Sequence, residues 1–160
     1  MTEIAERAVE REPVRPRERD AIIAALRVGE VPATGLHHLV VGRGSELEAL
    51  ASDLDAVARG GARCRAVVGP NGAGKTFLLA VLHRAALAKN LVATRVDLTP
   101  SHRLHSTGGH AQALYRAITA GLATRVRPEG GALPAVLERV VSAVVAKAVE
   151  EGRGPDRALR

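Results

Sequence analysis

Residues Gly69 to Thr76 read GPNGAGKT, which meets the G-x-x-x-x-G-K-[ST] pattern at every required position. No other stretch of this chain constrains the fold as tightly, because such a loop has physical meaning only between an extended segment and a helix. Gly72 and Gly74 let the backbone take positive φ and turn its N–H groups inward around an anion. A helix beginning near Lys75 aims its unpaired N–H groups and its positive dipole end at the same point. Lys75 adds a point charge for β- and γ-phosphate oxygens, and the Thr76 hydroxyl is the candidate Mg²⁺ ligand. The flanks agree with this reading. Cys64 to Val68 (CRAVV) predicts a short buried strand, and Lys75 through Lys89 predicts a helix with Leu78, Leu79, Leu82 and Ala86 on its inner side. The loop therefore predicts a nucleoside triphosphate site made by Gly69, Pro70, Asn71, Gly72, Ala73, Gly74, Lys75 and Thr76.

The remaining chain arranges itself around that loop. Residues 1–19 mix both charge signs with Pro13 and Pro16 and read as a flexible charged leader. From Asp20, a candidate N-cap, Ile22, Ile23 and Leu26 predict a short amphipathic helix that stops at Gly29. Ser45 and Glu48 predict a capping box opening a second helix, with Leu47, Leu50, Leu54 and Val57 on one face. Leu91 to Leu98 predicts a second strand, closed by Thr99-Pro100. Residues 101–110 read as a loop, 111–123 as a helix, and Leu133 to Glu151 as a last helix carrying Leu133, Leu137, Val140, Val141 and Val144. A strand, helix, strand unit over 63–98 implies a parallel pair with a right-handed connection. The expected fold class is α/β with a parallel sheet, incomplete because two strands make a thin sheet that needs both faces covered. The nucleotide-binding domain is placed at 20–151, followed by a polar tail at 152–160.

Composition narrows the function. Phe77 and Tyr115 are the only aromatic residues, which argues against a single-stranded nucleic-acid binder that stacks bases on several rings. Cys64 is the only cysteine, so neither an internal disulfide framework nor a Cys-based zinc site is expected. A charged beginning without a secretory pattern, and no apolar run of about 18 residues, predict a cytoplasmic protein with no membrane partner. The net charge of +6 is uneven: residues 69–160 hold thirteen Lys or Arg against six Asp or Glu. That surplus favours an anionic partner, and leaves nucleotide phosphate, nucleic acid and an acidic protein surface all open.

Hydrolysis is a separate matter from binding. It needs a second acid on a strand end to hold Mg²⁺ and a group that orients water. Asp97 is the only strand-end acid after the loop; it lies on the very next strand and reads as a site-rim or structural residue. No catalytic residue is assigned, and ATPase activity stays open. Upstream, VVGRGSELEAL (Val40 to Leu50) sets Gly42 and Arg43 in a turn before a capped helix. In several ATPase families such a segment packs against adenine, and the alternative is a helix start with Arg43 in solvent. His102, His105 and His110 lack the pattern of a metal site; the SHRLH run (101–105) reads as a polar rim near the phosphates with Arg103 a candidate phosphate or partner contact, while His37, His38 and His83 read as surface or boundary residues. Cys64 reads as a small buried hydrophobe.

Taken together, AIIAALRVGEVPATGLHHLVVGR, GPNGAGKTFLL, TRVDLTPSHRLHSTGGHAQALYRAI and RPEGGAL resemble the ATP-binding P-loop proteins of BREX (bacteriophage exclusion) defence systems, over Ala21 to Leu137. The third segment is the most distinctive. The resemblance implies an AAA-like P-loop NTPase of the additional-strand class, using ATP and Mg²⁺ within a multi-protein complex. It places Lys75 and Thr76 at the nucleotide, and Gly42 and Arg43 near the base. It also implies that the chain is truncated at its C-terminus, since members continue beyond the equivalent of residue 160 into the second metal acid and sensor residues. Asn71 makes the loop similar to that of transporter ATPases, but their upstream aromatic platform and LSGGQ-like segment are missing. Two rivals stand beside this reading: a nucleotide-gated switch of the signal-transduction ATPase type, and a non-functional remnant. Direct contact with DNA is left open.

Overall fold

The computed structural model describes residues 13–100, 102 and 109–151. The chain divides into two compact units, Met1–Lys89 and Asn90–Arg160. In the first, helix α1 spans Pro16–Arg27. It starts at Pro16 rather than near Asp20 because proline suits the first helical position, where its missing N–H is no loss. Asp20 consequently lies inside the helix and pairs with Arg19 at 3.1 Å. A single-turn helix, α2 (Leu36–Leu39), follows Gly35, whose φ is 71°. A Cβ at Gly35 would lie 2.5 Å from Ile22 Cδ1, so only glycine lets this turn close on α1 and bury Ile22 and Leu36.

Helix α3 (Gly44–Ala58) packs on α4 (Lys75–Ala88), with Leu50, Ala56, Leu78, Ala86 and Leu87 buried. The expected capping box is not formed: Arg43 is the N-cap residue, and the Ser45 hydroxyl donates to the neighbouring Glu46 carboxylate at 3.1 Å. At the other end of this pair, Lys89 at the C-cap of α4 donates to Asp55 in the last turn of α3.

The parallel-sheet α/β architecture of a P-loop NTPase is overturned by this structure. The described residues form six helices and one isolated antiparallel bridge, with no strand ladder among them. The CRAVV segment runs alongside α3 instead of pairing with a strand. Arg65 donates to Asp53 at 2.5 Å, and Arg63 stands 4.0 Å from the same carboxylate. Two arginines around an alternating run suit a side-chain tether to an acidic helix better than a strand buried on both faces. Val68 is 91% exposed, and Cys64 is an exposed free thiol, which corrects its reading as a buried hydrophobe.

In the second unit the run Leu91–Leu98 is likewise no strand. Ala93 and Ala123 exchange both backbone hydrogen bonds, at 3.1 and 2.7 Å, and the Thr94 hydroxyl donates to the Ile118 carbonyl at 3.0 Å. These bonds commit the run to the end of helix α5 (His110–Ala120). Helix α6 (Leu133–Glu150) closes the unit. Leu114, Ala123, Ala132 and Ala148 are buried here, whereas the apolar Leu137, Val140, Val141 and Val144 of α6 are all exposed. Among the described residues, no helix is long and apolar enough to cross a membrane.

Candidate phosphate-binding site

The loop before α4 has the backbone form its sequence calls for. Gly72 and Gly74 have φ of 81° and 75°, and Gly74 is the N-cap residue of α4. L-residues reach this region only with strain, so both glycines are there for the turn itself. Helix α4 begins at Lys75, which places the first N–H groups of the helix, lacking intrahelical acceptors, at the mouth of the loop. Pro70 and Ala73 close the turn through a backbone hydrogen bond of 3.3 Å. Asn71 and Thr76 are exposed.

Two cations hold the loop. Lys75 Nζ donates to the carbonyls of Gly69 at 2.9 Å and Pro70 at 2.8 Å. Arg43, from the turn ahead of α3, donates through Nη2 to the Ala73 carbonyl. That nitrogen lies 3.0 Å from where a Cβ on Gly74 would stand. Gly42, at φ 70°, makes the turn that delivers Arg43.

A cleft of about 560 Å³ joins these parts. Gly42 and Arg43 from the turn and Gly69, Pro70, Ala73 and Lys75 from the loop all line it. Val41, Leu50, Val68 and Leu78 give it apolar wall, and the volume lies within the usual range of small-molecule sites. Glu46 and Arg65, which sequence reasoning did not single out, also line it. The Glu46 carboxyl is held below its ordinary pKa by a backbone amide at the start of α3, then by the Ser45 hydroxyl and Arg43. Asp53 is held below its ordinary value mainly by the hydrogen bond from Arg65, and Arg65 is raised by the same contact. Glu46 lies within the VVGRGSELEAL segment and Arg65 within CRAVV, but only the folded chain brings both to the cleft.

The other candidate residues belong to the second unit. Asp97 is exposed in the second unit, and its carbonyl lies 3.3 Å from His102 Nδ1, a hydrogen bond when that nitrogen carries the proton. His110 begins α5, whereas Arg103 and His105 lie outside the described residues.

A loop with two positive-φ glycines opens into a helix whose first residue is a lysine. The chain belongs to the BREX system ATP-binding protein BrxC/D family, which it matches over residues 14–159. It is thus an ATP-binding component of a bacteriophage exclusion system, with a nucleotide and the other proteins of that system as its partners. No curated protein and no solved structure matches it.

Proposed function

We propose that Gly69–Thr76 holds the triphosphate of Mg·ATP and that the Gly42–Arg43 turn lies against the rest of the nucleotide. The observation that carries this reading is the convergence of two separate sequence segments on one cleft, one bringing Arg43 and the other Lys75. In this reading the backbone N–H groups of the loop around Gly72 and Gly74, with those at the start of α4, supply donors for the phosphate oxygens. Lys75 exchanges its bonds to the Gly69 and Pro70 carbonyls for bonds to phosphate. Arg43 keeps the loop closed through the Ala73 carbonyl or turns its guanidinium to the nucleotide. Apolar wall from Val41, Leu50 and Val68 is suited to the less polar part of the ligand. The exposed Thr76 hydroxyl is the Mg²⁺ ligand in this reading, and the metal neutralises phosphate charge when bound. No residue is assigned to hydrolysis. The bound nucleotide acts by biasing contacts with the other proteins of the system.

The test is the thermal midpoint of the chain with and without Mg·ATP, beside Lys75→Ala. A ligand specific for the native form, present at about 100 times its Kd, adds about 2.7 kcal/mol. A rise in the wild type that the variant lacks supports the reading. An equal rise in both, or none in either, overturns it.

A further inference from the structure

Ahead of the Gly42–Arg43 turn lies a group of side chains that nucleotide binding does not use. Glu18 and Ile22 stand one turn apart on the same side of α1. Gly35 brings the next segment against both: a Cβ there would lie 2.5 Å from Ile22 Cδ1 and 3.1 Å from Glu18 Cγ. The close approach delivers α2 to α1 with His37 and His38 at the junction. Their ring centroids are 3.9 Å apart and the rings are tilted by 42°. His38 Nε2 lies 3.6 Å from Glu18 Oε2, with the two side chains 14% and 24% exposed. Glu18, His37 and His38 each offer a ligand atom, and these atoms all lie within 4.8 Å of one another.

We propose that Glu18, His37 and His38 bind a divalent cation of the Zn²⁺ class. Two imidazoles and a carboxylate are a donor set for zinc and its transition-metal neighbours, whereas Mg²⁺ and Ca²⁺ take oxygen ligands. A tetrahedral ion with bonds of about 2.0–2.1 Å sets its ligand atoms roughly 3.4 Å apart. The His38–Glu18 separation of 3.6 Å is already close to that edge. His37 is exposed and reaches the ion by rotating its side chain. Water completes the fourth position, as it does where a protein gives three ligands. The bound ion clamps α1 to the turn that leads into Gly42 and Arg43. The site is independent of the nucleotide and of its Mg²⁺.

The full chain, without an affinity tag and stripped of metal by chelator, is titrated with ZnCl₂ alone by calorimetry in excess Mg²⁺. One equivalent is expected, with a higher thermal midpoint. His38→Ala and Glu18→Gln each weaken binding by about 10-fold or more. His37→Ala removes an exposed ligand and separates loss of metal from loss of fold, so it weakens binding while circular dichroism stays unchanged. Co²⁺ in place of Zn²⁺ gives the visible absorption of a four-coordinate ion in the wild type, and this signal is lost in His37→Ala. Absence of Zn²⁺ binding, competition by Mg²⁺, or binding that survives His37→Ala and His38→Ala but falls with His83→Ala or His102→Ala overturns the site.

Discussion

Replacing Gly74 by alanine tests whether Arg43 and the loop are one mechanical unit. Both Gly72 and Gly74 hold positive φ, so alanine at either costs roughly 1–2 kcal/mol of backbone strain. Their surroundings differ. A Cβ at Gly72 meets nothing within 4 Å, while one at Gly74 comes to 3.0 Å of Arg43 Nη2. Being the end of a long side chain, the guanidinium moves aside, and its hydrogen bond to the Ala73 carbonyl is lost or weakened. That adds about 0.5–1.5 kcal/mol, the usual net worth of such a bond. Gly74→Ala should therefore exceed Gly72→Ala by that margin. In an Arg43→Ala background the two should become equal, giving a coupling of about 0.5–1.5 kcal/mol between positions 43 and 74 and none between 43 and 72. Urea denaturation of the five variants and the wild type reads these differences, and the Mg·ATP-induced shift of the midpoint reads the effect on binding. Equal costs at 72 and 74 with Arg43 present, or additive costs for Arg43→Ala and Gly74→Ala, would refute the coupling.

Three further outcomes follow from other contacts. Gly35→Ala meets both a φ of 71° and the buried Ile22 side chain, so it should cost roughly 2 kcal/mol or more, and in urea denaturation the double variant with Ile22→Ala should lose less than the sum of the two single losses. Gly121→Ala brings a Cβ to 2.8 Å of Thr94 Oγ1 at an ordinary φ; its cost of about 1–3 kcal/mol is steric, and Thr94→Ala should relieve it in thermal melts. Asp53 and Asp55 are held below their ordinary pKa by hydrogen bonds from Arg65 and Lys89. Groups lowered in the folded state stabilise it above the ordinary carboxylate range and lose that effect as pH falls through their folded values. Melting curves taken from about pH 5 downward should fall more steeply for the wild type than for Asp53→Asn/Asp55→Asn.

Helices and loop were legible in the sequence to different degrees from the sheet. Lys75–Ala88 follows from the loop glycines and the leucine spacing, and its start at Lys75 is where the motif puts it. Gly42 and Arg43 were placed near the nucleotide by resemblance, and the fold brings them to the cleft that the loop lines. The strand readings failed for a local reason. Short apolar runs such as CRAVV and LVATRVDL fit an extended conformation but do not name a pairing partner. Arg65 finds Asp53, and Ala93 finds Ala123, at separations that no periodicity encodes. Asp20 was an equally sound cap on paper, yet Pro16 starts the helix one turn earlier. The Glu18, His37, His38 group was invisible because its spacing matches no motif, and Gly35 supplies the approach.

The tether between Arg65 and Asp53 makes the phosphate loop asymmetric. On its far side Lys75 is already helical, held by the cooperative hydrogen bonds of α4. On the near side the chain from Arg63 to Val68 is fastened to α3 by side-chain charges, with no ladder beneath it among the described residues. Salt screens partly exposed ion pairs and leaves a helix largely intact. Ionic strength thus reaches the loop from one direction. Raising it should speed amide exchange at Arg65 through Val68 while the later turns of α4 keep their protection, so the entry to the loop can loosen without unfolding the helix that follows it.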